Sequence, residues 1–192
     1  MTAGSTRQLG GDYAASFDYV YMRGEHFPLT RNVNARRADG TFPILANGLR
    51  LLLYDDSAPI RIHQAQFRIQ KRFANKLGFL LGYTLGSAKS IADNGTPSDK
   101  YDLMADWGPT ANDVRHRFVG NVIYQLPFQI QLGTIVTANS APPYNITTGS
   151  DVNRDGDNND RPAGVGYNEG RGDAFFQMDL RASKRITVGR FS

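Results

Sequence analysis

The stretch Leu77-Gly78-Phe79-Leu80-Leu81-Gly82-Tyr83-Thr84-Leu85-Gly86-Ser87 decides the fold. Side chains on a strand alternate between faces, so Leu77, Phe79, Leu81, Tyr83 and Leu85 form one apolar row. Gly78, Leu80, Gly82, Thr84 and Gly86 form the other. Ala74-Asn75-Lys76, just before it, reads as a tight turn. Gln64 to Phe73, before that turn, alternates in the same way. There Ala65, Phe67 and Ile69 oppose Gln66, Arg68 and Gln70, a row suited to water or a hydrated lumen and not to a packed core. Glycines spaced like Gly78, Gly82 and Gly86 mark local bends or a close approach.

The same pattern recurs outward along the chain. Ala14 to Arg23 sets Ala15, Phe17, Tyr19 and Tyr21 against Ser16, Asp18, Val20 and Met22, after a hairpin turn at Gly10-Gly11. Phe118 to Leu126 sets Phe118, Val122, Tyr124 and Leu126 against Val119, Asn121, Ile123 and Gln125. Pro127-Phe128 turns the chain into Gln129 to Ala138, with Leu132, Thr134 and Val136 opposite Gln131, Gly133, Ile135 and Thr137. Ala174 to Ser183 places Phe176, Met178 and Leu180 against Gln177, Asp179 and Arg181. Between the short turns lie long polar segments: Gly24 to Asn47, Lys89 to Val114, and the run before Ala174. Leu49 to Tyr54 reads as an extension of the following strand, with a polar kink at Asp55 to Pro59. Ser5 to Leu9 reads as the tail of a strand that begins before Met1, and Ile186 to Ser192 as a strand just starting.

Strands of about ten residues cross a bilayer at a tilt. Short turns on one side and long loops on the other are the layout of outer-membrane barrels. The expected fold is therefore an all-β, antiparallel transmembrane β-barrel, partial, of about six to eight strands, with long extracellular loops and short periplasmic turns. Residues 1–192 are expected to form one barrel segment, truncated at both ends and without a plug domain. Tyr19, Tyr21, Tyr83 and Tyr124 suit the aromatic girdles of such a wall.

Composition agrees. The chain is 40% hydrophobic and 21% charged over 192 residues, and no run approaches the roughly 18 apolar residues of a spanning helix. Barrel strands spread their apolar residues and leave no such run. A net charge of +4 raises the question of nucleic acid. However, Arg68, Lys71, Arg72 and Lys76 follow one strand and its turn, and Lys184 and Arg185 lie near another. They do not interleave with aromatics as in a single-strand-binding groove, so nucleic acid is not an expected partner. The absence of cysteine rules out disulfides and thiolate metal sites.

Several strings resemble the barrel of TonB-dependent outer-membrane receptors, of the Oar-like group with a carboxypeptidase-regulatory-like front domain. They are Asp106-Trp107-Gly108-Pro109; Asp113-Val114-Arg115-His116-Arg117-Phe118; Tyr124-Gln125-Leu126-Pro127-Phe128; Pro143-Tyr144-Asn145-Ile146-Thr147-Thr148-Gly149; the run from Asp151 to Pro162; and Arg171-Gly172 with the strand that follows. The resemblance implies the cell outer membrane and energy-coupled uptake of a large solute. It also implies outer-membrane lipid, a plug domain and an energy-coupling protein as partners, and a transported ligand of unknown identity. Such transporters have about 22 strands, so this chain is at most a third of that wall.

Asp151, Asn153 and Asp155 occupy the first, third and fifth positions of a loop with Gly156 at the sixth, as in the front half of an EF-hand. Asp157 and Asp160 add oxygens. Pro162 stands where a bidentate glutamate belongs, so calcium here would bind weakly and stiffen the loop, and no cofactor is required. The plain alternative is a solvated acidic turn. Enzymatic chemistry is not expected: His116 lies between Arg115 and Arg117, and His26 and His63 show no metal spacing with it. Arg171-Gly172-Asp173 matches an adhesion tripeptide of no diagnostic value. Two other architectures fit parts of the pattern: a small complete porin-like barrel, and a soluble calcium-binding β-sandwich.

Overall fold

The computed structural model describes residues 1–91 and 96–186. Ten strands follow in chain order: β1 (Thr2–Gly10), β2 (Tyr13–Asn32), β3 (Leu52–Ala74), β4 (Leu77–Ser90), β5 (Gly108–Pro109), β6 (His116–Gln125), β7 (Ile130–Asn139), β8 (Pro143–Tyr144), β9 (Gly170–Arg171) and β10 (Phe175–Lys184). The main sheet is an antiparallel meander in the order β1-β2-β3-β4-β6-β7-β10, with β5 added to the top of β4; β8 and β9 make a separate ribbon.

All three short turns form where the chemistry places them. Gly10 and Gly11 take φ of 109° and 53°, and Asn75 and Lys76 take 52° and 68°. Gly10 pairs with Tyr13, so the first loop is Gly11-Asp12 with positive φ at its first central residue, whereas Asn75-Lys76 has positive φ at both; both patterns match the right-handed twist of a two-residue hairpin. The Pro127–Gln129 turn puts Phe128 at φ 61°.

The expectation of a transmembrane barrel is corrected. The sheet is open: among the described residues β1 pairs only with β2, and β10 only with β7. The reason is topological. A meander of seven strands leaves its first and last members parallel, so they cannot close an antiparallel ring, which needs an even number. No helix is long and apolar enough to cross a membrane, which says nothing of strands.

A second correction concerns Gly24 to Asn47, expected as loop. β2 runs to Asn32 and β3 starts at Leu52, so the hairpin rises well above its neighbours. The pairing passes through two bulges: Gly24 faces Ile60, Phe27 faces Ala58 and Leu29 faces Asp55. One extra residue sits on β2, where His26 has φ 63°, and one on β3. They cancel, and Thr30 meets Tyr54 in the original register. The polar kink read at Asp55 to Pro59 is the second of these bulges, and Leu52 to Tyr54 do extend β3. The strand read from Ile186 to Ser192 lies outside the described residues, save Ile186, which is not in a strand.

Register sorts the side chains onto two faces. One carries Phe17, Phe67, Tyr83, Phe118, Ala138 and Phe176 in a single row across six strands, with Ile69, Leu81, Gly120, Val136 and Met178 in the next. Phe17 and Phe67 pack with ring centroids 4.8 Å apart and planes inclined at 43°. The other face carries Asp18, Gln66, Thr84 and Arg117 in one row, and Asn121 beside Ile135 and Asp179 in another. Among the described residues no second sheet covers the apolar face, as a sandwich would need. Phe67 is 49% exposed and Leu180 75%. Buried hydrophobics are few and concentrate above the sheet, where Leu29, Ala58 and Ile91 meet Leu103 and Trp107.

Candidate functional site

Two features of the sheet bear on function: the bounded apolar band, and the platform of loops above it. The band has a defined lower edge. Lys71 lies on the apolar face opposite Tyr13 and Phe79. Its ammonium bends to the turn and donates to the carbonyls of Ala74 at 2.6 Å and Leu77 at 2.8 Å. An amine that reaches out of an apolar surface to the nearest polar groups is snorkelling. The upper edge is a ring of amphipathic groups. The Tyr19 hydroxyl meets His63 Nδ1 at 2.7 Å, and the Tyr83 hydroxyl meets His116 Nδ1 at 2.8 Å. Tyr21 packs on His63 at 4.9 Å. From the level of Lys71 to that of His63 is about 27 Å of strand at ~3.4 Å per residue, or about 19 Å of thickness at a 45° tilt.

The three loops at the other end lock together through charge. Lys100, with a fully buried side chain, places its ammonium 3.0 Å from both Asp155 and Asp157, and donates to the Pro97 carbonyl. Arg161 reaches Asp106 and the Ser98 hydroxyl and lies over the Tyr167 ring. Arg171 binds the Asp113 carboxylate at 2.8 Å and its carbonyl at 2.7 Å. Asn168 donates to the Pro109 carbonyl. A Cβ on Gly108 would stand 2.3 Å from the Tyr167 carbonyl oxygen, so only glycine fits there. From the first loop, Tyr101 is held by the Ala35 carbonyl, and Arg31 bridges Asp55 and the Lys100 carbonyl. Inside that loop Asn34 is a hub: its amide donates to the Leu45 and Leu49 carbonyls and accepts from the Ile44 and Leu45 amides. Hydrogen bonds from the Ser57 side chain, its backbone N–H and the Arg31 guanidinium hold the Asp55 carboxyl below its ordinary range, against a smaller opposing effect of burial.

The acidic loop residues are brought together on one turn. Asp151 accepts from the amides of Asp155 and Gly156, and Asn153 also accepts from Asp155. Asp160 accepts from Val152 and Asn153, and Asp155 accepts from Asp157. Their negative charge meets the Lys100 ammonium on one side and Arg50, 3.1 Å from Asp157, on the other. Among the described residues no three His, Cys, Asp or Glu side chains gather as a metal site. Lys100 escaped the sequence reading because its partners lie more than fifty residues away; complementary charge was the only signal. The quoted strings around Asp106, Asp113, Asp160-Arg161-Pro162 and Arg171-Gly172 turn out to be these interloop locks.

An outer membrane beta barrel domain model matches residues 1–182, and the chain belongs to that family. The protein is therefore an outer-membrane protein. Among solved structures, the outer membrane transporter YddB from Escherichia coli is similar, with a TM-score of 0.58 and 12% identity over 94% of this chain. The chain spans 25% of that transporter's length, and the likeness is one of fold. No curated protein matches. The broader assignment to outer-membrane barrel proteins stands, whereas the narrower Oar-like grouping does not follow from these matches.

Proposed function

We propose that this chain contributes wall and outer loops to a receptor that takes up a large solute by an energy-coupled route. The observation that carries the proposal is a sheet with one continuous apolar face and one amide- and charge-rich face, topped by a cross-braced loop platform. The apolar face meets outer-membrane lipid. Gln66, Arg68, Asn121, Gln125, Gln131 and Asp179 look toward a hydrated interior and the plug domain that would fill it. Long loops face outward and offer the first contact to solute; short turns face the periplasm, where the energy-coupling protein would act through the plug. The likeness of the loop strings to TonB-dependent receptors and the fold shared with a transporter support this reading. The chain has no catalytic role in it.

Calcium fits the same reading as a loop stiffener. It would bind Asp151, Asn153, Asp155, Asp157 and Asp160 in competition with the Lys100 ammonium. The uptake test uses cells that carry or lack the intact gene, supplied with labelled solutes too large for general diffusion pores. Accumulation that needs the gene and stops when the proton-motive force collapses supports uptake. Accumulation that survives the collapse sinks the energy-coupled mechanism, and equal accumulation in both strains sinks transport.

A further inference from the structure

Two residues above the Tyr21–His63 pair, Arg23, Arg61 and Lys89 stand directly opposite one another on β2, β3 and β4. They continue the apolar face, about 7 Å of strand beyond its upper rim at ~3.4 Å per residue. Side chains so opposed have Cβ atoms about 5 Å apart, and like charges in that position destabilise a sheet. One carboxylate relieves the row: Glu25 pairs with Arg23. Close by, His26 Nδ1 lies 3.4 Å from the Asp56 carboxylate at the bulge. Among the described residues, no ion pair involves Arg61 or Lys89. Both are exposed, and Arg61 rests over the Trp107 ring at 5.3 Å, an aromatic placement favoured at membrane interfaces. Lower on the same face a largely apolar trough of about 550 Å³ runs between Phe17, Phe67, Ile69, Leu81, Tyr83 and Phe118, with Ser5 and Arg7 of β1 along one side.

We infer that the Arg23–Arg61–Lys89 row binds the phosphate of a lipid headgroup in the leaflet at the long-loop end, with an acyl chain of that lipid in the trough below. The inference rests on the apolar face meeting lipid. Three cations just outside a hydrocarbon band are costly without an anion, and the plane of phosphates lies at that height. Arg61 offers a planar fork of N–H donors that matches phosphate oxygens, and Lys89 adds a compact charge beside it. A free anion would satisfy the cations but not the trough; a phosphorylated lipid satisfies both.

The test is native mass spectrometry of the intact protein released from nanodiscs that contain phosphatidic acid in a phosphatidylcholine background. The R61Q/K89Q double variant is compared with R181Q, which removes a charge from the polar face. Each cation near a membrane surface contributes about five-fold to binding of an anionic lipid, so the double variant should retain phosphatidic acid about thirty-fold more weakly. R181Q should bind like the parent. In phosphatidylcholine alone, whose phosphate is neutralised by its own ammonium, R61Q/K89Q should melt higher than the parent, because the repulsion has gone and no lipid of net negative charge was there to offset it. Unchanged retention in R61Q/K89Q, an equal loss in R181Q, or displacement of the lipid by millimolar inorganic phosphate overturns the inference. A quencher-accessible Leu81 together with unchanged phosphatidic acid retention would sink the lipid face as well; an accessible Leu81 alone would not touch the headgroup row.

Discussion

Leu81→Lys should destabilise the protein, and Gln66→Lys should not. Leu81 lies on β4 two residues above Phe79, which faces Lys71, and six below Ser87, which faces His63. At ~3.4 Å per residue and a 45° tilt it lies about 5 Å inside the lower edge of the apolar band and about 14 Å from the upper. Its neighbours in register are Ile69 and Gly120, neither of which can accept a proton or donate a counter-charge. A lysine on a lipid-facing strand between interface and midplane costs about 1–3 kcal/mol. Gln66 sits on the opposite face between Asp18 and Thr84, so a lysine gains a carboxylate neighbour, and the change should stay within about 0.5 kcal/mol. Urea unfolding of the intact protein in lipid vesicles, followed by tryptophan fluorescence and gel mobility, reads both values. A Leu81→Lys cost near zero, or equal costs at the two positions, would refute the assignment of faces.

Three further outcomes follow from the loops. Lys100→Met leaves the Asp155 and Asp157 carboxylates without their buried partner, a loss of about 3–5 kcal/mol for such pairs; limited proteolysis should then cut the second and third loops first, and millimolar calcium should slow that cleavage. Asn34→Ala orphans the Ile44 and Leu45 amides and two carbonyls at once, at about 1–3 kcal/mol for each buried group left unpaired; hydrogen exchange should rise at Ile44 and Leu45 while β6 and β7 stay protected. The Asp55 carboxyl is depressed below 3.8, so its contribution is present above about pH 4 and fades as pH falls through the lower, folded value. Protection factors at the tip of β2 and β3, which discount the intrinsic slowing of exchange in acid, should therefore fall below about pH 4, and Asp55→Asn should abolish that pH dependence; an unaltered profile in the variant would count against the hydrogen bonds that Ser57 and Arg31 make to Asp55.

The turns and the two faces were legible because each rests on local chemistry. Gly10-Gly11 and Asn75 supply positive φ, and a period of two survives any error in strand length. The upper half of the β2–β3 hairpin was hidden. Pro28 and the left-handed His26 interrupt the alternation there, and a single bulge would have thrown every later residue onto the wrong face; only the pairing shows that two bulges cancel. The expected partial barrel is an open sheet instead, and which strands form its free edges was not legible because it is a property of the whole meander. The loop platform could not be seen at all from one end of the chain, since Lys100 with Asp155, Asp106 with Arg161, and Asp113 with Arg171 are each joined across an intervening strand pair or loop. The acidic loop was found as a cluster, whereas its buried cation was not.

The protein contains no cysteine, so single cysteines can be read without background. Nitroxides at positions 69, 81, 122 and 178, and at 66, 121, 131 and 179, should be introduced one at a time into the membrane-embedded protein. Collision with oxygen, which concentrates in hydrocarbon, should dominate at the first four. Collision with a water-soluble nickel chelate or immobilisation by protein should dominate at the second four. Mixed signals along one strand, or nickel access at 81 and 122, would contradict the claim that one face of this sheet lies against lipid.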